Sequence, residues 1–335
     1  MGTERYTQES FKRPPAPETG DESVRRQKYL VVINPVSRGG NALKEGTWLL
    51  RQLGRLGVQH EAFITENPGH ATRIVDRWMN SVDVVVAVGG DGTVNEVVNG
   101  MLLADPLCDK ALAVFPAGTA DDFCHNVGIP RDRNRALMVL LADNERRIDL
   151  IRYNDQYAVV QLGVGVDAEI AYRTLSHKRV RIPAYFAVGV RIVFKERLRN
   201  SPRTLHIESD DTVYDGKFLI AVFGNAPLYG RYVYWMPEAK MDDGVLNMSA
   251  LRPMAPLPAW YLFMRCFNPG FRSDKVIYDT SEHFTVELRE ESFLQVDGEV
   301  YKYGGGERLD IRVARQALRV RVPADTGRLT PYKVS

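Results

Sequence analysis

The sequence predicts an α/β domain followed by a β-rich domain, and three features of its patterning lead there. From residue 29 to about 149, short apolar runs alternate with stretches of helical periodicity, which is the grammar of a parallel sheet with helices on both faces. After Ile148 many short strand-like runs follow one another with polar turns between them, as in an antiparallel sandwich or barrel. In the first half, three of the strand-like runs lead into glycine-containing turns just ahead of a helical stretch.

Taken in order, residues 29–34 (Tyr-Leu-Val-Val-Ile-Asn) read as a buried strand, 41–57 as a helix closed by Gly57, and 58–64 as a second strand. Residues 69–79 read as a helix, 82–88 as a third strand, 94–103 as a helix and 111–115 as a fourth strand. Beyond them, strands are expected at 148–153, 157–164, 203–208, 217–225, 245–251, 276–279, 283–288, 293–300, 308–314 and 318–322. Two helical stretches interrupt this series, at 168–199 and 255–267. The expected division is a disordered leader over 1–28, an α/β domain over 29–149 and a β-rich domain over 150–314.

The chain has 335 residues, 44% of them apolar and 26% charged, enough for two hydrophobic cores. Its net charge of +2 gives no global field for nucleic acid. Cys108, Cys124 and Cys266 are odd in number and far apart, which fits a reducing compartment better than a disulfide framework or a zinc site. The leader is rich in Pro, Glu, Arg and Thr and has no apolar centre, so it does not read as a signal peptide. No apolar run approaches the ~20 residues that span a bilayer, so any membrane contact is expected to be peripheral.

The chemistry starts where Val84-Val-Val-Ala-Val88 runs into Gly89-Gly90-Asp91-Gly92-Thr93. Ligands of an open parallel sheet bind beyond the C-terminal ends of its strands. Glycines there let the backbone approach a ligand or take a positive φ, and a following helix aims its free N–H groups at the same spot. Phosphates suit such a place. Asp91 would repel bare phosphates, so a divalent cation between them is implied. Thr93 and Glu96 also fit a capping box, which needs no function. A capping box leaves three glycines around one aspartate unexplained.

The same logic recurs where Ala111-Leu-Ala-Val-Phe115 leads into Pro116-Ala-Gly118-Thr119-Ala-Asp121-Asp122-Phe123. Thr119 sits where a helix would start, and Asp121 and Asp122 fall in its first turn, where carboxylates favour the helix dipole by ~0.3–1 kcal/mol. A third loop, Asn34-Pro-Val-Ser37-Arg38-Gly-Gly-Asn41, follows the first strand. Its residues suit ordinary turns, but three such loops at one sheet edge argue for a nucleotide site.

These motifs, in this order, resemble the diacylglycerol kinase catalytic-domain family, which includes bacterial lipid kinases, sphingosine kinases and ceramide kinases. NAD kinase and phosphofructokinase are more distant relatives, sharing the Gly-Gly-Asp element. The resemblance extends to Gly163-Val-Gly-Val-Asp167, to Met236-Pro-Glu-Ala-Lys240-Met-Asp-Asp243-Gly-Val245 and to Leu294-Gln-Val-Asp297-Gly-Glu299. It implies an NAD-kinase-like nucleotide-binding domain, a C-terminal β-sandwich for lipid, and a return of residues 315–325 to the first domain.

The roles implied by the resemblance are these. ATP is cradled by Asn34, Ser37, Arg38, Gly89, Gly90, Gly92, Thr93, Glu96, Gly118, Thr119 and Asp121. Asp91 holds the catalytic Mg2+, with Asp122 in the catalytic set. Glu299 is the general base, with Asp297 beside it. Asp243 and the main-chain carbonyls of Lys240 and Val245 hold a structural Mg2+. Two residues depart from the family pattern. Asp121 stands where an Asn is usual, and an ionised carboxylate cannot donate a hydrogen bond. Arg38 stands where a Gly is usual, and either clamps a phosphate oxygen or points to solvent.

The residues of the second half leave alternatives beside that resemblance. Asp297-Gly298 alone reads as a type I′ hairpin turn, and the segment around Asp243 as an ordinary turn. Basic and aromatic residues between 176 and 199, and the apolar run 253–264, read either as core or as surfaces for anionic lipid. The expected activity is ATP-dependent phosphorylation of a lipid alcohol, diacylglycerol first, at the cytoplasmic face of a membrane, with a homodimer among the admissible assemblies. The alternatives are a sphingoid-base or ceramide kinase, a soluble-substrate kinase, and a catalytically silent nucleotide- or lipid-binding regulator.

Overall fold

The computed structural model describes residues 27–166, 168, 169, 172, 202–230 and 232–324. The leader up to residue 26, Asp167 and nearly all of the helical stretch expected at 168–199 lie outside the described residues. The chain divides into two compact units, one of residues 1–148 with 316–335 and one of residues 149–315.

In the first unit β1 (Lys28–Ile33), α1 (Ser37–Arg55), β2 (Gln59–Ile64), α2 (His70–Trp78), β3 (Val84–Gly89), α3 (Asp91–Ala104) and β4 (Ala111–Pro116) alternate, followed by α4 (Asp122–Asn126) and α5 (Arg133–Leu141). The strands are parallel in the order β2-β1-β3-β4. β3 and β4 are buried along their whole length, which is why they read as unbroken apolar runs. Leu49 and Leu53 of α1 and Ala136 and Leu140 of α5 join Val86, Val88 and Phe115 in one core. Arg319 and Val320, from the last strand among the described residues, lie parallel to Ala111 and Leu112. The fully buried Arg321 beside them donates to Tyr29 Oη, the Leu140 carbonyl and Gln27 Oε1. From β1 the chain turns to one side for β2 and to the other for β3 and β4. At such a switch the loops diverge and leave a crevice beyond the strand ends.

Next in chain order come β5 (Glu145–Tyr153), β6 (Gln156–Ala158), β7 (Gln161–Gly165), β8 (Arg203–Glu208), β9 (Val213–Phe218), β10 (Ile220–Gly224), β11 (Leu228–Tyr229), β12 (Val233–Tyr234) and β13 (Leu246–Leu251). Helix α6 (Pro256–Arg265) precedes β14 (Val276–Ser281), β15 (His283–Leu288), β16 (Ser292–Val296), β17 (Glu299–Tyr303) and β18 (Arg308–Arg321). In the second unit one antiparallel sheet runs β14-β13-β10-β7-β16-β17, and β15 pairs antiparallel with β8 and with the first half of β18. The inner faces of the two sheets share a core that includes Leu162, Phe223 and Leu294 from one and Ile207, Phe284 and Val286 from the other. The rings of Phe223 and Phe284 lie 5.2 Å apart. This is a sandwich, with no closed barrel among the described residues.

Several boundaries differ from the sequence reading, each for a local reason. The strand expected at 157–164 breaks because Val159 and Val160 give their N–H groups to the Asp297 carboxylate instead of to a ladder. The strand expected at 293–300 folds back as the β16–β17 hairpin. β9 hides behind an Asp-Gly pair, at which Gly216 takes φ +118°. The two strands expected at 308–314 and 318–322 are one strand, β18, with the left-handed Gln316 (φ 48°) inside it.

Candidate active site

Three loops leave the C-terminal ends of β1, β3 and β4, and hydrogen bonds tie them together. The Asn34 N–H donates to the Val88 carbonyl at 3.0 Å, and Asn34 Nδ2 donates to Thr93 Oγ1 at 3.0 Å. The Ala117 N–H donates to the Gly89 carbonyl at 2.9 Å. The second and third loops come closest at Gly90 and Gly118. A Cβ on Gly118 would lie 2.3 Å from the Gly90 Cα, and one on Gly90 would lie 3.1 Å from the Gly118 Cα. A Cβ on Gly89 would lie 2.3 Å from Thr93 Oγ1. None of Gly89, Gly90, Gly92 and Gly118 takes a left-handed φ, so what requires glycine at Gly89 and Gly118 is close approach, and at Gly90 the fit is merely tight.

The first loop does use left-handed backbone. Arg38, Gly39 and Gly40 take φ of 50°, 64° and 93° in succession, and helical geometry becomes regular from Asn41, where the sequence reading starts its helix. Arg38 thus occupies a conformation that suits glycine. Its side chain is exposed.

The capping box expected at Thr93 and Glu96 is not formed. Helix α3 starts at Asp91 with Gly90 as its N-cap, and no side chain caps it. Buried Thr93 instead accepts from Asn34. The Glu96 carboxylate reaches the start of the neighbouring helix α2, accepting from Gly69 N at 2.8 Å and Ala71 N at 3.1 Å. Thr72 Oγ1 donates to the Glu96 carbonyl at 2.9 Å. Gly69 has no side chain with which to cap α2, so the cap comes from α3. A Cβ on Gly100 would stand 2.7 Å from the Thr72 carbonyl, so the two helices are packed backbone to backbone there.

The two aspartates of the paired loops feel each other. Asp91 Oδ1 accepts from Phe123 N at 2.9 Å. Burial pushes the Asp91 carboxyl above its ordinary pKa, while the N–H groups of Phe123, Asp122 and Asp91 itself draw it back. Asp121 Oδ1 accepts from Gly118 N at 2.7 Å, and its Oδ2 pairs with Arg131 at 2.6 Å. Burial, then the charge of Asp91, raise the Asp121 pKa to about 6 against the pull of Arg131, the Gly118 N–H and Arg38. Asp121 is left-handed (φ 55°) and is the N-cap residue of α4, which starts at buried Asp122. Thr119, expected to start that helix, is an exposed bend residue, because the loop runs three residues past Gly118 before its backbone turns helical at Asp122.

Arg131 escaped the sequence reading. Its Nη2 donates to the carbonyls of Thr119 (2.7 Å) and Ala120 (2.9 Å) while it holds Asp121. The signal was a cation closing the apolar segment Val127-Gly-Ile-Pro-Arg131, ten residues past the first member of an acidic pair.

In the second unit, Asp297 and Gly298 form the two-residue turn between β16 and β17, with φ of 45° and 92°, the type I′ pattern. The buried Asp297 carboxylate accepts from Val159 N (2.6 Å), Val160 N (2.9 Å) and Gln161 N (3.0 Å). Glu299, the first residue of β17, is exposed. Asp243, in the loop between Lys240 and Val245, accepts from Val245 N at 3.4 Å. Burial, aided by Asp149 and Asp242, raises its pKa against the pull of the Val245 N–H and Lys240. Asp149, which the sequence reading passed over as a boundary residue, fixes this loop: its Oδ2 accepts from Gly244 N at 2.7 Å, and its own N–H donates to the Met241 carbonyl.

Residues 28–153 match the family model for the diacylglycerol kinase catalytic domain. A diacylglycerol kinase of Staphylococcus haemolyticus is 29% identical over 302 residues, covering 88% of this chain and 88% of that protein. One from Staphylococcus aureus strain MRSA252 is 29% identical over 284 residues, covering 84% and 87%. A crystal structure of a diacylglycerol kinase from Bacillus anthracis matches with a TM-score of 0.68 at 19% identity, covering 89% of this chain and 97% of that one. A second Bacillus anthracis structure matches with a TM-score of 0.72 at 22% identity, covering 89% and 98%. At these identities the structural matches establish the fold.

Proposed function

We propose that this chain, a lipid kinase by the catalytic domain it carries, uses ATP and magnesium to phosphorylate a hydroxyl of diacylglycerol at a membrane surface. The observation that carries this reading is the junction of Gly90 and Gly118 beside Asp91, at the switch point of a parallel sheet. The two loops have their backbones bare where phosphates would approach, and the N-terminus of α3 opens there.

The residues present fit a magnesium–nucleotide. Asp91 is a carboxylate whose burial disfavours its bare charge, and a cation beside it would relieve that penalty. Among the described residues no three His, Cys, Asp or Glu side chains form a metal-holding group. Magnesium is commonly held by one or two carboxylates with phosphates and water, so Asp91 suffices from the protein side. When bound, the ion neutralises charge on the phosphates. Asn34, Ser37, Gly89, Gly90, Gly92, Thr93, Gly118 and Thr119 shape the cradle. Asp121 and Arg131 fix the loop after β4, and Asp122 begins α4 behind it.

The acceptor hydroxyl attacks the γ-phosphorus, the bond to the β–γ bridging oxygen breaks, ADP leaves, and the hydroxyl proton passes to a base. Glu299 is our assignment for that base, since it is exposed at the start of a hairpin strand, whereas three N–H donors occupy the buried Asp297. Such a base is worth ~10²–10⁴ in rate. In the second unit, Asp243 with the carbonyls of Lys240 and Val245 is our assignment for a structural magnesium. The Asp121 replacement does not favour the silent-regulator reading, because the oxygen that accepts from Gly118 N is one an asparagine also has.

The enzyme would work from the cytoplasmic side; no helix among the described residues is long and apolar enough to cross a membrane. The test is incubation with γ-labelled ATP and a total lipid extract, resolved by thin-layer chromatography. Label in phosphatidic acid is the expected result. Label in a sphingoid or ceramide phosphate would move the acceptor, and no labelled lipid despite ATP binding would overturn the reading.

A further inference from the structure

Helix α6 carries two opposed apolar faces. Ala259, Leu262 and Cys266, spaced to share one face, are buried against the outer side of the six-stranded sheet with Leu219, Val222, Leu251 and Val276. The other face follows the same helical spacing through Leu257, Tyr261 and Met264, of which Leu257 is 65% exposed and Tyr261 55%. Phe263 and Phe267 continue it, exposed and packed edge to face at 5.4 Å. Single exposed apolar side chains are ordinary, but a contiguous row of five within eleven residues marks a contact surface.

We infer that this outer face of α6 is the surface by which the protein docks on an anionic lipid bilayer, an inference that rests on the lipid-kinase reading above. From Pro253 to Ser273 there is no Asp or Glu, while Arg265 and Arg272 close the segment. Arg272 is engaged by Glu238, and Arg265 lies over the Phe271 ring at 5.0 Å. Exposed Asp274 and Lys275 follow and offset each other, which leaves exposed Arg265 as the cation at the end of the helix. The face is therefore apolar and aromatic with a cationic edge, the composition of helices that lie in a bilayer interface beside anionic headgroups. Trp260 and Tyr261 are of the residue types that populate that interface. A second copy of the chain is a poorer occupant, since a two-fold contact would set this face against itself, and residues 253–273 offer no carboxylate to meet Arg265.

The experiment is sedimentation of the full chain with vesicles of pure phosphatidylcholine or of equimolar phosphatidylcholine and phosphatidylglycerol. L257E/M264E replaces two exposed side chains and should keep the wild-type circular dichroism while binding to both vesicles falls about tenfold or more. Arg265→Glu should weaken binding to the anionic vesicles and leave binding to phosphatidylcholine unchanged. Phosphorylation of a dispersed short-chain diacylglycerol should be the same in all variants, with loss confined to long-chain substrate in vesicles. Wild type that binds vesicles through this face but phosphorylates no lipid keeps the docking surface and removes the kinase reading alone. Vesicle binding unchanged in L257E/M264E overturns the docking surface. So does a wild-type dimer that L257E/M264E dissociates without altering vesicle binding, which would give the face to a second copy.

Discussion

The Cα of Gly90 lies where a single methyl group on Gly118 would approach it to 2.3 Å. Real Cβ atoms do not come so close to backbone, and neither loop can retreat easily, because Gly89 and Asn34 anchor them to their neighbours. Gly118→Ala should therefore spread the two loops. A misplacement of about 1 Å at a site of this kind costs about 100-fold in rate, so kcat/KM for ATP should fall by that order. The thermal transition should drop by less than in a core-cavity variant. Wild-type kinetics in Gly118→Ala would show that the loop contact does not shape the site.

Asp121 makes stability depend on pH in an unusual direction. Its pKa is about 6 in the fold against an ordinary 3.8, so the folded protein holds the proton more tightly than the unfolded chain. Stability contributed by the protonated form is full below about pH 4 and is lost as pH rises through about 6, an effect on the order of 3 kcal/mol. Asp121→Asn retains an acceptor for Gly118 N but no longer titrates. In metal-free buffer the stability of the variant relative to wild type should rise from pH 4 to pH 6 and then level off, and in magnesium-containing buffer its activity should be kept or raised. Denaturant titrations at successive pH values measure this directly. A difference independent of pH would show that the carboxylate is not perturbed.

Much of this architecture is written locally and so could be read. Strands β3 and β4 are continuous apolar runs because the sheet buries them on both faces, and the Asp297-Gly298 turn declares itself in two residues. What the sequence conceals is which partner a polar group chooses. Thr93 and Glu96 have capping-box spacing, yet tertiary packing gives Thr93 to Asn34 and Glu96 to another helix. Arg131 and Asp149 could be found only once the folding chain brought them to loops 10 and 95 residues away.

Glu96 offers a clean separation of structure from chemistry. Its two oxygens accept from the first N–H groups of α2, and removing a charged acceptor from such a helix start costs roughly 1–2 kcal/mol. Glu96→Ala should lose that much stability in urea and speed amide exchange at Gly69 and Ala71. Saturating kcat should stay within a few-fold of wild type. A loss of nucleotide affinity with unchanged stability would return Glu96 to the cradle.

Asp297 and Glu299 are two residues apart, and the same test should split them. Three backbone N–H groups converge on the buried Asp297 carboxylate, and these donors are what hold the chain between β6 and β7 against the hairpin turn. Asp297→Asn has one oxygen for three donors and turns an amide N–H2 toward the rest. Leaving buried donors unmet costs about 1–3 kcal/mol, so this variant should unfold at lower urea. Glu299→Gln changes an exposed strand residue, where substitutions stay within about 0.5 kcal/mol, but it removes the group assigned to accept the proton. Its kcat should fall ~10²–10⁴-fold at unchanged stability. Full activity in Glu299→Gln would end its role as base. A fully stable but inactive Asp297→Asn would move the chemistry to the turn residue instead.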